Sequence, residues 1–186
     1  MEKQARHLRV LLLLLGLATM GGATSGRAEA LPEYKVKALF LFNFAKYVDW
    51  PDEAFPTPGS PIIIGLIGQD NFKDELNRAV EGKVVNGRPI VVKRVSTDPE
   101  MNGCHILFVS SSEKSRFEEI LGKTRHGPVL TVGEQGQFLA KGGIINFTLK
   151  DEKIRLEIDL DSARQAGVRI SSKLLSVAEL VKGKTN

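Results

Sequence analysis

The feature that most constrains the fold is a continuous apolar run at residues 61–67, Pro-Ile-Ile-Ile-Gly-Leu-Ile. A run of this length without a polar side chain predicts a strand that is buried on both faces, as in a parallel sheet. Helical patterns follow at residues 71–80, where Asn71 is the expected cap, and after a capping box that begins at Ser110. Further buried strands are predicted at residues 89–95, 104–109 and 128–132. Strands that alternate with helices in this way indicate an α/β fold.

The last third of the chain predicts an antiparallel hairpin. Residues 144–150 and 153–160 alternate between apolar and polar side chains, with Asp151-Glu152 as the expected turn. This register creates inward cross-strand pairs, which are Leu149–Ile154, Phe147–Leu156 and Ile145–Ile158. The outward polar face then carries Asn146, Thr148, Arg155 and Glu157. An antiparallel hairpin with one polar face is typical of the edge of a mixed sheet.

Together these elements predict a single three-layer α/β domain. Its sheet is mostly parallel with a C-terminal antiparallel hairpin, and helices cover both faces. Two short helices, at residues 162–166 and 172–181, are expected to close the chain. The sequence has 186 residues, which is enough for one such domain, and no internal repeat divides it.

A helix is predicted at residues 34–48, a stretch without Gly or Pro. Its apolar arc includes Phe40, Leu41, Phe42 and Phe44, and only Lys37 interrupts it. This arc is wider than one packing contact requires, so either the domain covers both sides of the helix or part of it meets a partner. We expect Phe42 and the nearby Trp50 to take part in such a self-interface or partner interface. Asn43, at the edge of the arc, either bonds the following loop or contacts the partner.

The N-terminus has the pattern of a secretory signal at residues 1–30. Lys3, Arg6 and Arg9 precede an apolar run at residues 10–18, and Ala28-Glu-Ala30 has the form of a cleavage site. The alternative is an uncleaved membrane anchor, but the run is shorter than the roughly 20 residues that a spanning helix needs. We therefore predict export of a chain of residues 31–186 that is not embedded in the membrane.

Charge and cysteine content limit the other roles. The net charge is +4 for the whole sequence, and it falls to +2 without residues 1–30. This near balance, without a Lys/Arg run, argues against a nucleic-acid partner. The lone Cys104 cannot form an internal disulfide, and it is expected to be a small buried residue of a strand.

The search for catalytic and metal-binding residues is negative. His7 lies in the signal, His105 is expected to point outward from a strand, and His126 lies in a loop, all without ligand partners at suitable spacing. Glu157, Asp159 and Asp161 are expected to form a solvated face rather than a catalytic pair. We therefore expect no cofactor, no metal and no enzymatic activity.

Four segments resemble the YfiR family of exported bacterial proteins: residues 34–51, 142–147, 155–160 and 167–175. The resemblance implies a periplasmic negative regulator that binds the periplasmic sensor domain of a membrane-bound diguanylate cyclase. It thereby implies control of cyclic di-GMP and of biofilm formation, with an outer-membrane lipoprotein as a second partner that sequesters the regulator. Redox-responsive members carry several cysteines, so control through an internal disulfide is not expected for a chain with Cys104 alone.

Two functional hypotheses follow. The first is the periplasmic repressor. In this hypothesis the exposed side of the first helix binds the partner or a second copy of the chain, which would form a homodimer. The alternative is a periplasmic small-ligand sensor or accessory subunit of a transporter or receptor system, with a pocket at the carboxyl ends of the parallel strands. From pattern alone, and not from the family, the expected partner-binding residues are Phe42, Asn43, Trp50, Asn146, Thr148, Arg155 and Glu157.

Overall fold

The computed structural model describes residues 33–125 and 127–181. The predicted signal at residues 1–30 lies outside the described residues. The helices are α1 Glu33–Tyr47, α2 Glu75–Val80, α3 Asp98–Asn102, α4 Phe117–Thr124, α5 Leu160–Gln165 and α6 Ser172–Leu175. The strands are β1 Val48–Asp49, β2 Ile62–Ile67, β3 Val84–Val85, β4 Arg88–Arg94, β5 Ile106–Val109, β6 Leu130–Gly133, β7 Ile145–Lys150, β8 Lys153–Asp159, β9 Arg169–Ile170 and β10 Glu179–Val181.

An eight-stranded sheet in the order β10-β8-β7-β6-β5-β2-β4-β3 organises the domain. Its neighbours are parallel except for the β3–β4 and β7–β8 pairs. Alternate residues of β2 enter different cores: Ile64 packs in the core that contains α1, and Ile67 packs in the core that contains α4. The predicted α/β class, with a mostly parallel sheet between helices, is confirmed because both faces of the central strands are covered.

Helix α1 packs on one face of the sheet through Leu41 and Phe44, which are both buried. Phe44 stacks on Phe147 of β7 with ring centroids 5.9 Å apart. Beyond the helix, β1 pairs with β9 as a separate two-stranded sheet, with Val48 opposite Ile170. The C-terminal end of α1 is therefore fixed by a distant part of the chain.

The predicted hairpin register is confirmed, with Leu149 opposite Ile154 and Thr148 opposite Arg155. Leu149 is nevertheless 65% exposed, although the alternation predicted it to face inward. The reason is that β6 pairs with β7 only as far as Asn146, so the hairpin tip extends beyond the sheet. Inward alternation buries a side chain only where another element covers that face.

The structure corrects two predicted helices. Within the predicted helix 172–181, only Ser172–Leu175 is helical, and Glu179–Val181 forms β10 parallel to β8. The hairpin is therefore not the outermost edge of the sheet, because β10 covers the open side of β8. The helix predicted at residues 71–80 begins only at Glu75, since Lys73 has a φ of 53° that interrupts helical geometry.

Candidate functional site

A buried ion pair lies at the carboxyl ends of the central parallel strands. Glu134 directly follows β6, and its Oε2 lies 2.6 Å from Nζ of Lys37 on α1, with side-chain exposures of 3% and 4%. The Tyr34 hydroxyl donates to Oε2 of Glu134 at 3.0 Å, and the backbone N–H of Ser111 donates to Oε1 at 3.1 Å. Asn71, predicted as a helix cap, instead donates from Nδ2 to the Tyr34 hydroxyl at 2.9 Å. Side chains of α1 thus fill the place where the ligand-sensor hypothesis expected its pocket.

The protonation states indicate that the cluster of Tyr34, Lys37 and Glu134, here called the tie, holds α1 against the sheet. Burial disfavours the ammonium of Lys37, but hydrogen bonds to Glu134 and Glu33 outweigh it and raise the pKa of Lys37. Burial and the Glu134 carboxylate raise the pKa of Tyr34, so its hydroxyl remains a donor. Near neutral pH the cluster contains a charged lysine and a protonated tyrosine, which fasten α1 to the sheet rather than supply a nucleophile or base.

The Lys37–Glu134 pair was not predicted, although the sequence carries a signal for it. In the sequence, Lys37 interrupts the apolar arc of the first helix. A charged group in the middle of such an arc needs a buried partner, because an unpaired buried charge is strongly unfavourable. Glu134, two residues after the predicted strand at residues 128–132, is a carboxylate at the carboxyl end of the sheet.

The outer stripe of α1 consists of Lys35, Leu39, Phe42 and Lys46, which are spaced to share the side of the helix away from the sheet. Leu39 is 44% exposed and Phe42 is half-buried. The ammonium of Lys46 lies 5.5 Å from the centre of the Phe42 ring. Asn43 is half-buried beside this stripe. The stripe is therefore a small apolar surface between two cations.

The predicted polar face of the hairpin is only partly exposed. Asn146 is 2% exposed rather than on the surface. Its Oδ1 accepts from the Gln135 N–H at 3.0 Å, and its Nδ2 donates to Oε2 of Glu157 at 3.2 Å. Asn146 is therefore a structural bridge between the end of β6 and β8. Thr148 and Glu157 are half-buried, and Arg155 is exposed.

The first helix and the polar side of the hairpin lie on opposite faces of the sheet. Phe147 packs on α1 through Phe40 and Phe44. Because side chains alternate along a strand, Thr148 and its partner Arg155 point to the other face. The predicted single binding face is thus not formed. The partner-binding role of either group remains a prediction.

Trp50 and His105 meet at the opposite, amino end of the sheet. The half-buried Trp50 donates from Nε1 to the carbonyl oxygen of His105 at 3.1 Å. His105, predicted to point outward, is instead 4% exposed, and its Nδ1 accepts from the Ile63 N–H at 3.1 Å. The prediction was wrong because the segment between α1 and β2 folds over this strand end and covers the ring.

Two other predicted polar or reactive residues are buried structural groups. The predicted burial of Cys104 is confirmed, and its thiol donates to the Glu100 carbonyl at 3.2 Å. Burial raises the pKa of this thiol to about 11, so it stays protonated and unreactive near neutral pH. Asp159, expected on a solvated face, is buried and caps α5 by accepting from the N–H groups of Asp161 and Ser162.

Within residues 33–125 and 127–181, no group of three His, Cys, Asp or Glu side chains is arranged to hold a metal ion. In the same part of the chain, no helix has the length and apolar character needed to span a bilayer.

Comparison with known proteins identifies the family. A conserved domain protein from Vibrio cholerae O1 biovar eltor matches with a TM-score of 0.49 at 12% identity, over 65% of this chain and 55% of that one. The ABC domain in complex with L-Trp from Streptococcus pneumonia matches with a TM-score of 0.46 at 11% identity, over 64% and 55%. The chain thus spans about half the length of these structures. No curated protein sequence matches. The YfiR/HmsC-like family model matches residues 34–179, and the chain belongs to this family.

Proposed function

We propose that the protein is a periplasmic negative regulator that binds and represses a membrane-bound diguanylate cyclase. The observation that carries the proposal is family membership, which extends over residues 34–179. In this family the regulator acts on the periplasmic sensor domain of the cyclase. The protein thereby lowers cyclic di-GMP and surface attachment. An outer-membrane lipoprotein relieves the repression by sequestering the regulator.

The proposed location depends on the N-terminal signal at residues 1–30. Its basic start, short apolar run and Ala28-Glu-Ala30 pattern support cleavage after Ala30. The exported protein is then residues 31–186. Intact-mass measurement of the periplasmic fraction should give a chain that begins at Leu31. A full-length species in the membrane fraction would contradict this step.

The outer stripe of α1 is the proposed contact with the cyclase. Leu39 and Phe42 offer apolar area to a partner, and Asn43 offers an amide beside them. Lys35 and Lys46 at its two ends favour a partner surface whose rim is acidic. The remaining predicted residues Trp50, Thr148, Arg155 and Glu157 do not belong to this stripe, and their role in binding a partner stays a prediction.

Repression requires only preferential binding to one state of the cyclase. A regulator that binds the inactive state tenfold more tightly stabilises that state by about 1.4 kcal/mol when it is saturating. An almost complete switch from active to inactive needs a preference of roughly 10⁴-fold, or about 5.5 kcal/mol. A binding module can supply this preference without any catalytic group.

The genetic test removes residues 31–186 from the chromosome and keeps the signal. We expect cyclic di-GMP and surface attachment to rise, and both to fall again when the exported domain is supplied. Unchanged cyclic di-GMP in the deletion strain, under conditions in which the wild-type protein is expressed, would contradict the proposal.

The binding test places a negative charge on the stripe. Phe42→Glu should weaken binding to the purified sensor domain at least about tenfold, because it buries a like charge against an acidic rim. Val84→Glu is the matched control, since Val84 is also an exposed apolar residue, 62% exposed, but lies on β3. If Phe42→Glu unfolds the domain, the same binding measurement is made with Leu39→Glu, which places the charge at the more exposed position. Binding by Leu39→Glu that equals the control would exclude the stripe.

A further inference from the structure

The segment from Trp50 to Ser60, here called the strap, packs on the amino ends of β2 and β5. Its first half is held by His105: the Phe55 ring stacks on the imidazole at a centroid distance of 4.4 Å and an interplanar angle of 22°. The Trp50 indole approaches the same imidazole edge-on at 5.8 Å. Two aromatic side chains of the strap, Trp50 and Phe55, therefore pack directly on the imidazole of His105.

A hydrogen bond from the Ile63 N–H keeps the imidazole of His105 in its neutral form. Its Nδ1 accepts from the backbone N–H of Ile63 at 3.1 Å, so Nδ1 carries no hydrogen. The hydrogen of the neutral ring is then on the buried Nε2, for which the Ala54 carbonyl is the nearby acceptor, although the contact falls short of hydrogen-bond geometry. A second proton has to go to Nδ1, where it would meet the N–H of Ile63.

The second half of the strap is held by Arg88 of β4. Its guanidinium donates to the carbonyl oxygens of Thr57 at 3.0 Å and Ser60 at 2.9 Å. It also lies 3.6 Å from the centre of the Phe55 ring, on which His105 stacks. These two hydrogen bonds hold the Thr57–Ser60 half of the strap without using the His105 imidazole.

The charged and titratable groups around the imidazole mostly oppose a second proton. Burial and then the Arg88 cation lower the pKa of His105, and the Ala54 carbonyl opposes them in part. From the strap, Glu53 lines the same cleft and favours the imidazolium, but it is exposed and its field is screened. Cys104, which precedes His105 in the chain, is protonated and therefore carries no charge. β2 contributes only Ile63 to this cleft, together with Pro61 before it.

We propose that His105 is an acid-operated latch whose protonation releases the Trp50–Phe55 half of the strap while Arg88 retains the other half. The imidazolium loses its bond from Ile63 and leaves its buried position to reach water. Phe55 and Trp50 then lose the ring on which they pack, although Phe55 keeps its contact with Arg88 and Trp50 keeps its hydrogen bond to the His105 carbonyl, and the cleft of about 270 Å³ beside them opens. The rest of the domain stays folded, because the ring accepts one hydrogen bond from the sheet, from the Ile63 N–H, and the pairing of β2 with β4 and β5 does not use the ring. The latch is independent of the proposed repression.

Trp50 reports directly on the latch because it is the only tryptophan in the chain. Its emission and its quenching by acrylamide are measured while the pH falls from about 7.5 to about 4.5. For the wild-type protein we expect a red shift and about a twofold rise in the quenching constant, reversible on return to neutral pH. His105→Asn keeps an acceptor near the Nδ1 position but cannot titrate, so both changes should disappear. His126→Asn is the matched control and should behave as the wild type.

Far-UV circular dichroism over the same range separates release of the strap from unfolding. We expect a constant signal through the Trp50 transition. Three results would overturn the latch: no Trp50 transition down to about pH 4.5, the same transition in His105→Asn, or loss of the circular dichroism signal together with the Trp50 change.

Discussion

Removal of the Lys37 ammonium tests the tie between α1 and the sheet. Lys37→Met keeps most of the side-chain length and the apolar stem but removes the cation. The Glu134 carboxylate then stays buried with the Tyr34 hydroxyl and the Ser111 N–H as its hydrogen-bond donors. The expected loss comes from a buried anion that has lost its counter-charge.

The burial of both partners sets the magnitude. Side chains that are 4% and 3% exposed are hardly screened by solvent. Removing one partner of such a pair costs about 3–5 kcal/mol of unfolding free energy. With an m-value of about 2 kcal/mol per molar urea, the midpoint should fall by about 1.5–2.5 M. In a domain of this size the melting temperature should fall by about 6–20 °C.

Urea unfolding followed by far-UV circular dichroism measures the effect. Lys46→Met is the matched control on the same helix; Lys46 is exposed, so the change should stay within about 0.5 kcal/mol. The double variant Lys37→Met/Glu134→Gln removes both charges and keeps an acceptor for Ser111. In a double-mutant cycle it should show a coupling of at least about 2 kcal/mol. A loss below about 1 kcal/mol for Lys37→Met, equal to the control, would refute the reasoning and mean that water solvates the pair.

Four further predictions concern stability. Glu152 has a φ of 57° in the hairpin turn, so Glu152→Gly should stabilise by about 0.5–1 kcal/mol, measured by urea unfolding. Gly122 in α4 has open space at its Cβ position, so Gly122→Ala should stabilise by about 0.5–1 kcal/mol. A Cβ at Gly65 would collide with Cys104 Sγ, so Gly65→Ala should destabilise by about 1–3 kcal/mol; equal effects of the two glycine variants would contradict this packing. Because the pKa of His105 is lowered on folding, the unfolded state takes up protons first as the pH falls below about 6.5. Stability should then fall by at most about 1.4 kcal/mol per pH unit, and His105→Asn should reduce this slope.

Local patterns were sufficient for the parts of the fold that local physics determines. The apolar run at residues 61–67 indicated a strand covered on both faces, and β2 is that strand. The alternation at residues 144–160 gave the correct cross-strand pairs, since a two-residue turn leaves only one register that buries Phe147 opposite Leu156. These elements are specified within about twenty residues of sequence.

The missed features depend on contacts between distant residues. β10 is a strand because β8 offers it an open edge, and nothing within residues 172–181 carries that information. His105 is buried because a strap that begins 55 residues earlier covers it, as the Trp50 hydrogen bond shows. Asn146 is buried because Gln135 and Glu157 satisfy its amide. In each case contacts with distant residues determined the structure, and the local pattern of apolar and polar residues did not.

Most of the wide apolar arc of α1 packs within the domain. Phe40 and Phe44 pack on Phe147, and Ala38, Leu41 and Ala45 are buried, so most of the original arc is used within the domain. Leu39 is 44% exposed, and Phe42 is partly buried against the core, which makes the predicted interface narrower than the sequence suggested.

The position of the outer stripe is fixed at both ends of α1. At the start of the helix, Lys37 is bound to Glu134; after its end, Val48 pairs with Ile170. A helix held at both ends loses little conformational freedom when its outer side binds a partner, which lowers the entropic cost of association. Lys37 therefore affects the proposed repression without touching the partner. If Lys37→Met still folds at low temperature, it should bind the sensor domain more weakly than Lys46→Met, although Lys46 belongs to the stripe and Lys37 does not. Weaker binding by the Lys46 variant would place the direct contact, rather than the support of the helix, in control of affinity.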